Sequence, residues 1–273
     1  MPRIGSTPFS FPEFRGATRR LILWNLAAYF VLLLAGAVNH DVFNWIFWHL
    51  SFSPDAFALH GWLWQPITYS FIHQGILGTL LELLSLWFLA GFLETFHSDT
   101  WVTGLYAVSV LGTALAAVAL FFVGNFMGID QPPAALTGCF GGIFGMLVAI
   151  GILYGDMQFM LFPLPIGIKA RYIAIIYGLI AIAMLFGQQR MYAFAELGGA
   201  LAGWFYLRVA PRRGYSFAFS EKWYGLRNRY YRWKRRRAAR KFEVYMRSQG
   251  RTVKFDSKGR QIDEDRDDKS RWN

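Results

Sequence analysis

The chain has 273 residues, of which 55% are hydrophobic and only 16% charged, where an average soluble domain carries roughly 25% charged residues. Disordered, collagenous and coiled-coil classes are excluded, and the apolar residues fall in runs too long for one soluble core. The net charge is +11, and 21 of the 28 basic residues lie from Arg208 onward, so an apolar body carries a basic tail. The single cysteine, Cys139, excludes an internal disulfide.

A membrane-spanning helix needs about 20 mostly apolar residues, and six stretches approach that length. In chain order they are 21–38, 75–93 (apolar apart from Glu82), 101–123, the glycine-rich 138–154, 172–187 and 191–207 (apolar apart from Glu196). The first follows Arg15, Arg19 and Arg20. It is longer than the roughly 7–15 residues of a signal-peptide core and lacks a small-residue cleavage site, so it reads as a retained helix. Residues 41–74 are rich in aromatics and interrupted by Pro54 and Pro66, which suggests an interfacial loop. With the N-terminus inside, Arg190 is the one basic residue left outside, and the positive-inside bias places both termini in the cytoplasm. The expected architecture is all-α and polytopic: a cytoplasmic segment 1–20, a six-helix membrane domain 21–210 and a basic cytoplasmic tail 211–273.

In the tail, Trp223, Leu226, Tyr230 and Trp233 recur at helical spacing, with basic residues between them up to Lys234, Arg235, Arg236 and Arg237. This suits an amphipathic helix on anionic headgroups, and equally a plain topology signal after the last span. Nucleic-acid contact through charge alone is the least favoured reading. The acidic stretch 263–268 reads as disordered.

Glu82 and Glu196 each cost on the order of 3 kcal/mol at membrane depth. At 1.5 Å per residue they lie roughly 10 Å and roughly 7–8 Å from the outer ends of their stretches, in one layer. They read either as protonated acids in a structural pair or as a proton, metal or ligand site. Gly138, Gly141, Gly142 and Gly145 in the fourth stretch, with Gly198, Gly199 and Gly203 in the sixth, would let these two helices approach closely.

The run from Trp64 to His73, the fourth stretch from Gly138 to Gly145 and the segment from Ala195 to Gly199 together resemble the rhomboid family of intramembrane serine proteases. The fourth stretch is similar to the family's G-x-S-G-x-x-F-G and the sixth to its A-H-x-x-G. The departures fall on the chemistry: Phe140 stands at the nucleophile position, Glu196 at the general base, and Gly78 and Glu82 at the two oxyanion positions. The resemblance therefore implies a rhomboid-like pseudoprotease with no catalytic residue, cofactor or metal. Such a protein would bind, chaperone or scaffold the transmembrane segments of client proteins. Phe140 would plug the cavity and Glu82 would bond to Glu196 across it, with His73 and Cys139 completing the cavity set. Cys139, about 100° around the helix from Phe140, would face elsewhere. The alternative is a hydrolase or proton-linked activity on Glu82 and Glu196. The expected location is a membrane, multi-pass, of the bacterial inner type.

Overall fold

The structure, a computed structural model, describes residues 12–128, 135–161, 166–187 and 189–209, together with 227–250 apart from 229, 232, 235, 236 and 239–241. The chain divides into two compact units, 1–214 and 215–273.

The first unit opens with α1 (Gly16–Val38). The segment expected as a loop is instead helical: α2 (His40–Leu50), α3 (Pro54–His60), α4 (Gln65–Thr68) and a 3-10 turn over Tyr69–Phe71. Its two prolines sit in the first turns of α3 and α4, where an absent N–H breaks no helical bond. The long helices α5 (Ile76–Glu94) and α6 (Asp99–Phe126) follow, then α7 (Phe140–Leu153). A departure from all-α is a short antiparallel hairpin, β1 (Gln158–Leu161) with β2 (Ile166–Lys169), in which Gln158 faces Lys169. The unit closes with α8 (Ala170–Met184) and α9 (Arg190–Val209).

Three of these helices, α1, α5 and α6, are long and apolar enough to cross a membrane, whereas α7 and α8 are shorter apolar helices. At 1.5 Å per residue the three measure about 35, about 28 and about 42 Å, against a hydrocarbon core of about 30 Å. Only 17% of the apolar window of α1 is buried, and Trp24, Leu34 and Val38 are exposed. An exposed apolar surface of that extent calls for lipid as its solvent.

Helix α7 is apolar all round, as suits a helix enclosed by others, and it packs against α5, α6, α8 and α9. Its contacts with α6 and α9 run through small residues. A Cβ on Gly203 would stand 2.6 Å from the Gly145 Cα, and one on Gly199 would stand 2.8 Å from the Gly141 oxygen. A Cβ on Gly141, Gly142 or Gly145 would strike Thr113, Tyr106 or Ser109 of α6, and one on Gly198 would strike Ala116. Tyr206 of α9 donates its hydroxyl to the Trp101 carbonyl at 2.8 Å, tying α9 to α6.

The described tail residues between 227 and 248 are helical. Tyr230 and Trp233 lie 6.2 Å apart, and the Arg237 guanidinium stands 5.3 Å over the Trp233 ring. Lys234 is exposed on the same stretch. Trp223, Leu226, Arg235, Arg236 and the stretch 263–268 lie outside the described residues.

Candidate functional site

Two local devices bring the candidate site together. The segment before α7 is pinned at two points: Phe52, between α2 and α3, exchanges backbone hydrogen bonds of 3.0 and 2.8 Å with Leu136, and the Gly138 N–H donates to the Ile72 carbonyl, just before α5, at 2.7 Å. Gly138 then turns into α7 with φ +89°, a conformation that disfavours any residue with a Cβ. A Cβ there would also stand 2.6 Å from Glu82 Oε2, so glycine lets the backbone close onto this carboxylate.

Glu82, two turns into α5, consequently meets the start of α7. Its Oε2 accepts the Cys139 N–H at 3.0 Å and the Cys139 thiol at 3.7 Å. The carboxylate thus sits at the N-terminus of α7, where helix dipole and free N–H groups favour an anion. His73, just before α5, presents Nε2 at 3.2 Å from the same oxygen. Its other nitrogen, Nδ1, is 3.2 Å from the Phe71 carbonyl. One ligand atom each from His73, Glu82 and Cys139 lies within 4.8 Å of the others, a group able to hold a metal ion. His73 and Cys139 are buried, and the Glu82 side chain keeps 13% of its surface exposed.

This arrangement differs from the expected cavity. Glu82 is engaged by His73 and Cys139, and among the described residues no hydrogen bond joins it to Glu196, although each carboxylate lies in the other's electrostatic field. Phe140 is not packed into the site as a plug would be, because it is 37% exposed. The 100° offset between neighbouring helical positions turns Cys139 inward instead, to 0% exposure. Gly78 does not line the site either, since a Cβ added to it would meet nothing within 4 Å. The sequence places His73, Glu82 and Cys139 in one cavity set with Glu196 and Phe140, but gives no sign that these three touch directly while the other two stand apart from them. Cys139 is 57 residues from Glu82, and no local spacing signals the contact.

A second feature lies further along α7. Helices α5 and α8 both pack on α7. A cleft of about 130 Å³ runs between them, walled by Ser85, Phe88 and Leu89 of α5 and Ala170, Ile173 and Tyr177 of α8. Ile143, Leu147 and Ile150 of α7 form its floor, and Phe159 of β1 closes one end. The Phe159 ring packs edge-on against Phe88 and Phe92 at 5.4 and 4.9 Å.

Residues 21–213, most of the chain, match the family described as eukaryotic integral membrane protein (DUF1751). The chain belongs to this family. No curated protein matches it. Membership overturns the resemblance to the rhomboid proteases, because the family matched is a different one. The physical reason is plain in the structure. The glycine spacing shared with that family's motifs serves close packing of α7 on α6 and α9, which any helical membrane protein can use. Two of the four positions aligned with its chemistry, Phe140 and Gly78, are exposed and take no part in the His73, Glu82 and Cys139 group. Membership agrees with an integral, multi-pass membrane protein. The family's eukaryotic description gives no support to a bacterial inner membrane.

Proposed function

We propose that this chain is a non-enzymatic membrane protein that binds transmembrane segments of client proteins in the cleft between α5 and α8. The observation that carries the reading is the cleft itself. Its walls are apolar, Phe88 and Tyr177 reach its outer edge with exposed rings, and Ser85 adds a hydroxyl whose own hydrogen bond goes to Leu81. Its volume of about 130 Å³ is that of about four waters at about 30 Å³ each, room for one side chain of an incoming helix. In lipid, helix association rests on packing rather than on expulsion of water. A preformed apolar notch offers a passing helix contacts that loosely ordered acyl chains match poorly.

In this reading α1, α5, α6, α7, α8 and α9 all span the bilayer, with both termini cytoplasmic, as the distribution of basic residues favours. The membrane domain 21–210 does the binding, and the basic tail lies on anionic headgroups through Tyr230, Trp233, Lys234 and Arg237. In liposomes a label at Trp233 should then be less accessible to a water-soluble quencher when the lipid is anionic than when it is neutral, and equal accessibility would refute this role for the tail.

The test of client binding is photocrosslinking in native membranes. A photoreactive residue at Phe88, Leu147 or Tyr177 should capture single-span proteins, and the same group at Leu115, on an exposed face of α6, should capture lipid only. Equal capture from both faces would refute the proposal.

A further inference from the structure

The geometry points to a divalent transition-metal site formed by His73, Glu82 and Cys139, a zinc-type centre with three protein ligands and one open position, distinct from the cleft. The first argument is the tautomer. A carbonyl oxygen only accepts, so the Phe71 carbonyl requires Nδ1 of His73 to carry the proton. In the neutral ring, Nε2 then holds a lone pair, the form in which histidine binds metals, with its other nitrogen anchored to a backbone carbonyl. That lone pair points into the buried space toward Glu82. Nε2 is buried and makes no hydrogen bond, because its approach to Glu82 Oε2 at 3.2 Å is out of line for one. A lone pair facing a carboxylate oxygen at this distance is repulsive unless a proton or a metal cation sits between them, and no hydrogen bond is made there.

The second argument is spacing. A tetrahedral ion with bonds of about 2.0 Å to N and O and about 2.3 Å to S sets an N···O edge of about 3.3 Å and an S···O edge of about 3.5 Å. The observed separations are 3.2 Å for His73 Nε2 to Glu82 Oε2 and 3.7 Å for Cys139 Sγ to the same oxygen. The donor set also selects the ion: thiolate plus imidazole suits zinc and its neighbours and does not suit magnesium or calcium. The Cys139 N–H on the carboxylate orients that ligand from behind. Binding transfers the thiol proton to solvent as Cys139 Sγ donates its electron pair to the metal.

The test uses the purified full-length protein in detergent, stripped with chelator and titrated with Co²⁺. One equivalent should bring up a thiolate-to-cobalt charge-transfer band and the intense visible bands of a tetrahedral site, and Zn²⁺ should abolish both. Zn²⁺ should also shield Cys139 of the unmodified protein from alkylation, a readout that needs no variant. Cys139→Ser should eliminate the charge-transfer band and weaken binding at least ~100-fold, and His73→Gln and Glu82→Gln should weaken it at least ~10-fold. His60→Gln, on α3, should leave binding unchanged. A wild-type protein that gains no charge-transfer band, or a band that survives Cys139→Ser, would overturn the site and leave a doubly protonated His73 paired with Glu82.

Discussion

Glu94, the last residue of α5, supplies the sharpest test of how the helices are held together. Its Oε1 accepts the Ala17 N–H in a short hydrogen bond. Its Oε2 accepts the Thr18 N–H at 3.3 Å and the Thr18 hydroxyl at 2.7 Å. Arg15, at the position preceding α1, makes no side-chain cap, so Glu94 caps α1 from a neighbouring helix. Ala17 and Thr18 are both fully buried, so water cannot replace the bonds. In Glu94→Gln one acceptor oxygen becomes an amide donor, which must face either the Ala17 N–H or the Thr18 pair. One buried unpaired donor costs about 1–3 kcal/mol, and loss of the anion at the helix N-terminus adds about 0.3–1 kcal/mol. We therefore expect a loss of about 1.5–4 kcal/mol for Glu94→Gln. Thr18→Val, which removes one hydroxyl bond, should lose about 1 kcal/mol. Reversible unfolding of the detergent-purified protein by SDS titration, followed by circular dichroism, measures both. A Glu94→Gln protein within about 0.5 kcal/mol of wild type, the usual range for surface substitutions, would refute the reasoning.

Other outcomes follow from the same structure. Gly203→Ala places a Cβ 2.6 Å from the Gly145 Cα, where carbons normally meet at about 3.5–4.0 Å. It should cost about 1–3 kcal/mol in the same SDS titration, whereas Gly178→Ala, with nothing within 4 Å, should be neutral or stabilising by up to about 1 kcal/mol. Burial holds His97, between α5 and α6, below its usual value of 6.5. There it stacks on Trp101 at 3.8 Å, and its Nε2 lies 3.0 Å from the Tyr154 hydroxyl. A lowered histidine favours the neutral form in the folded protein, so its contribution is complete above pH 6.5 and is lost as pH falls below it. Melting temperature should decline from about pH 7 to pH 5, with the slope reduced in His97→Gln; an unchanged slope would exclude His97 as its source.

The apolar body was readable because lipid-facing helices need uninterrupted apolar runs. The stretch 21–38 corresponds to α1, 75–93 to α5 and 191–207 to α9, each within a few residues. Helix α1 begins earlier, at Gly16, because Arg19 and Arg20 are good helix formers despite their charge. The closeness of α7 and α9 was legible in glycine spacing, since a residue without a side chain in an apolar helix has few uses besides close approach. Helices α3 and α4 were misread because Pro54 and Pro66 look like breaks, and only the position of each in a first turn shows otherwise. That His73, Glu82 and Cys139 share one cavity was expected, but their direct contact was illegible for a different reason. It depends on the Phe52–Leu136 pairing and on the φ of Gly138, which are tertiary facts with no periodicity to announce them. The orientation of Phe140 followed from the same turn.

The central claim, that the cleft between α5 and α8 takes a helix, is tested most directly by equilibrium binding in liposomes. Energy transfer would be measured from a donor-labelled single-span helix to an acceptor on the full-length protein, as a function of lipid dilution. We expect saturable transfer that unlabelled helix competes away, and an apparent affinity at least tenfold weaker when Leu147→Trp fills the cleft floor. Transfer that tracks only the surface density of acceptor, and that Leu147→Trp leaves unchanged, would contradict the account.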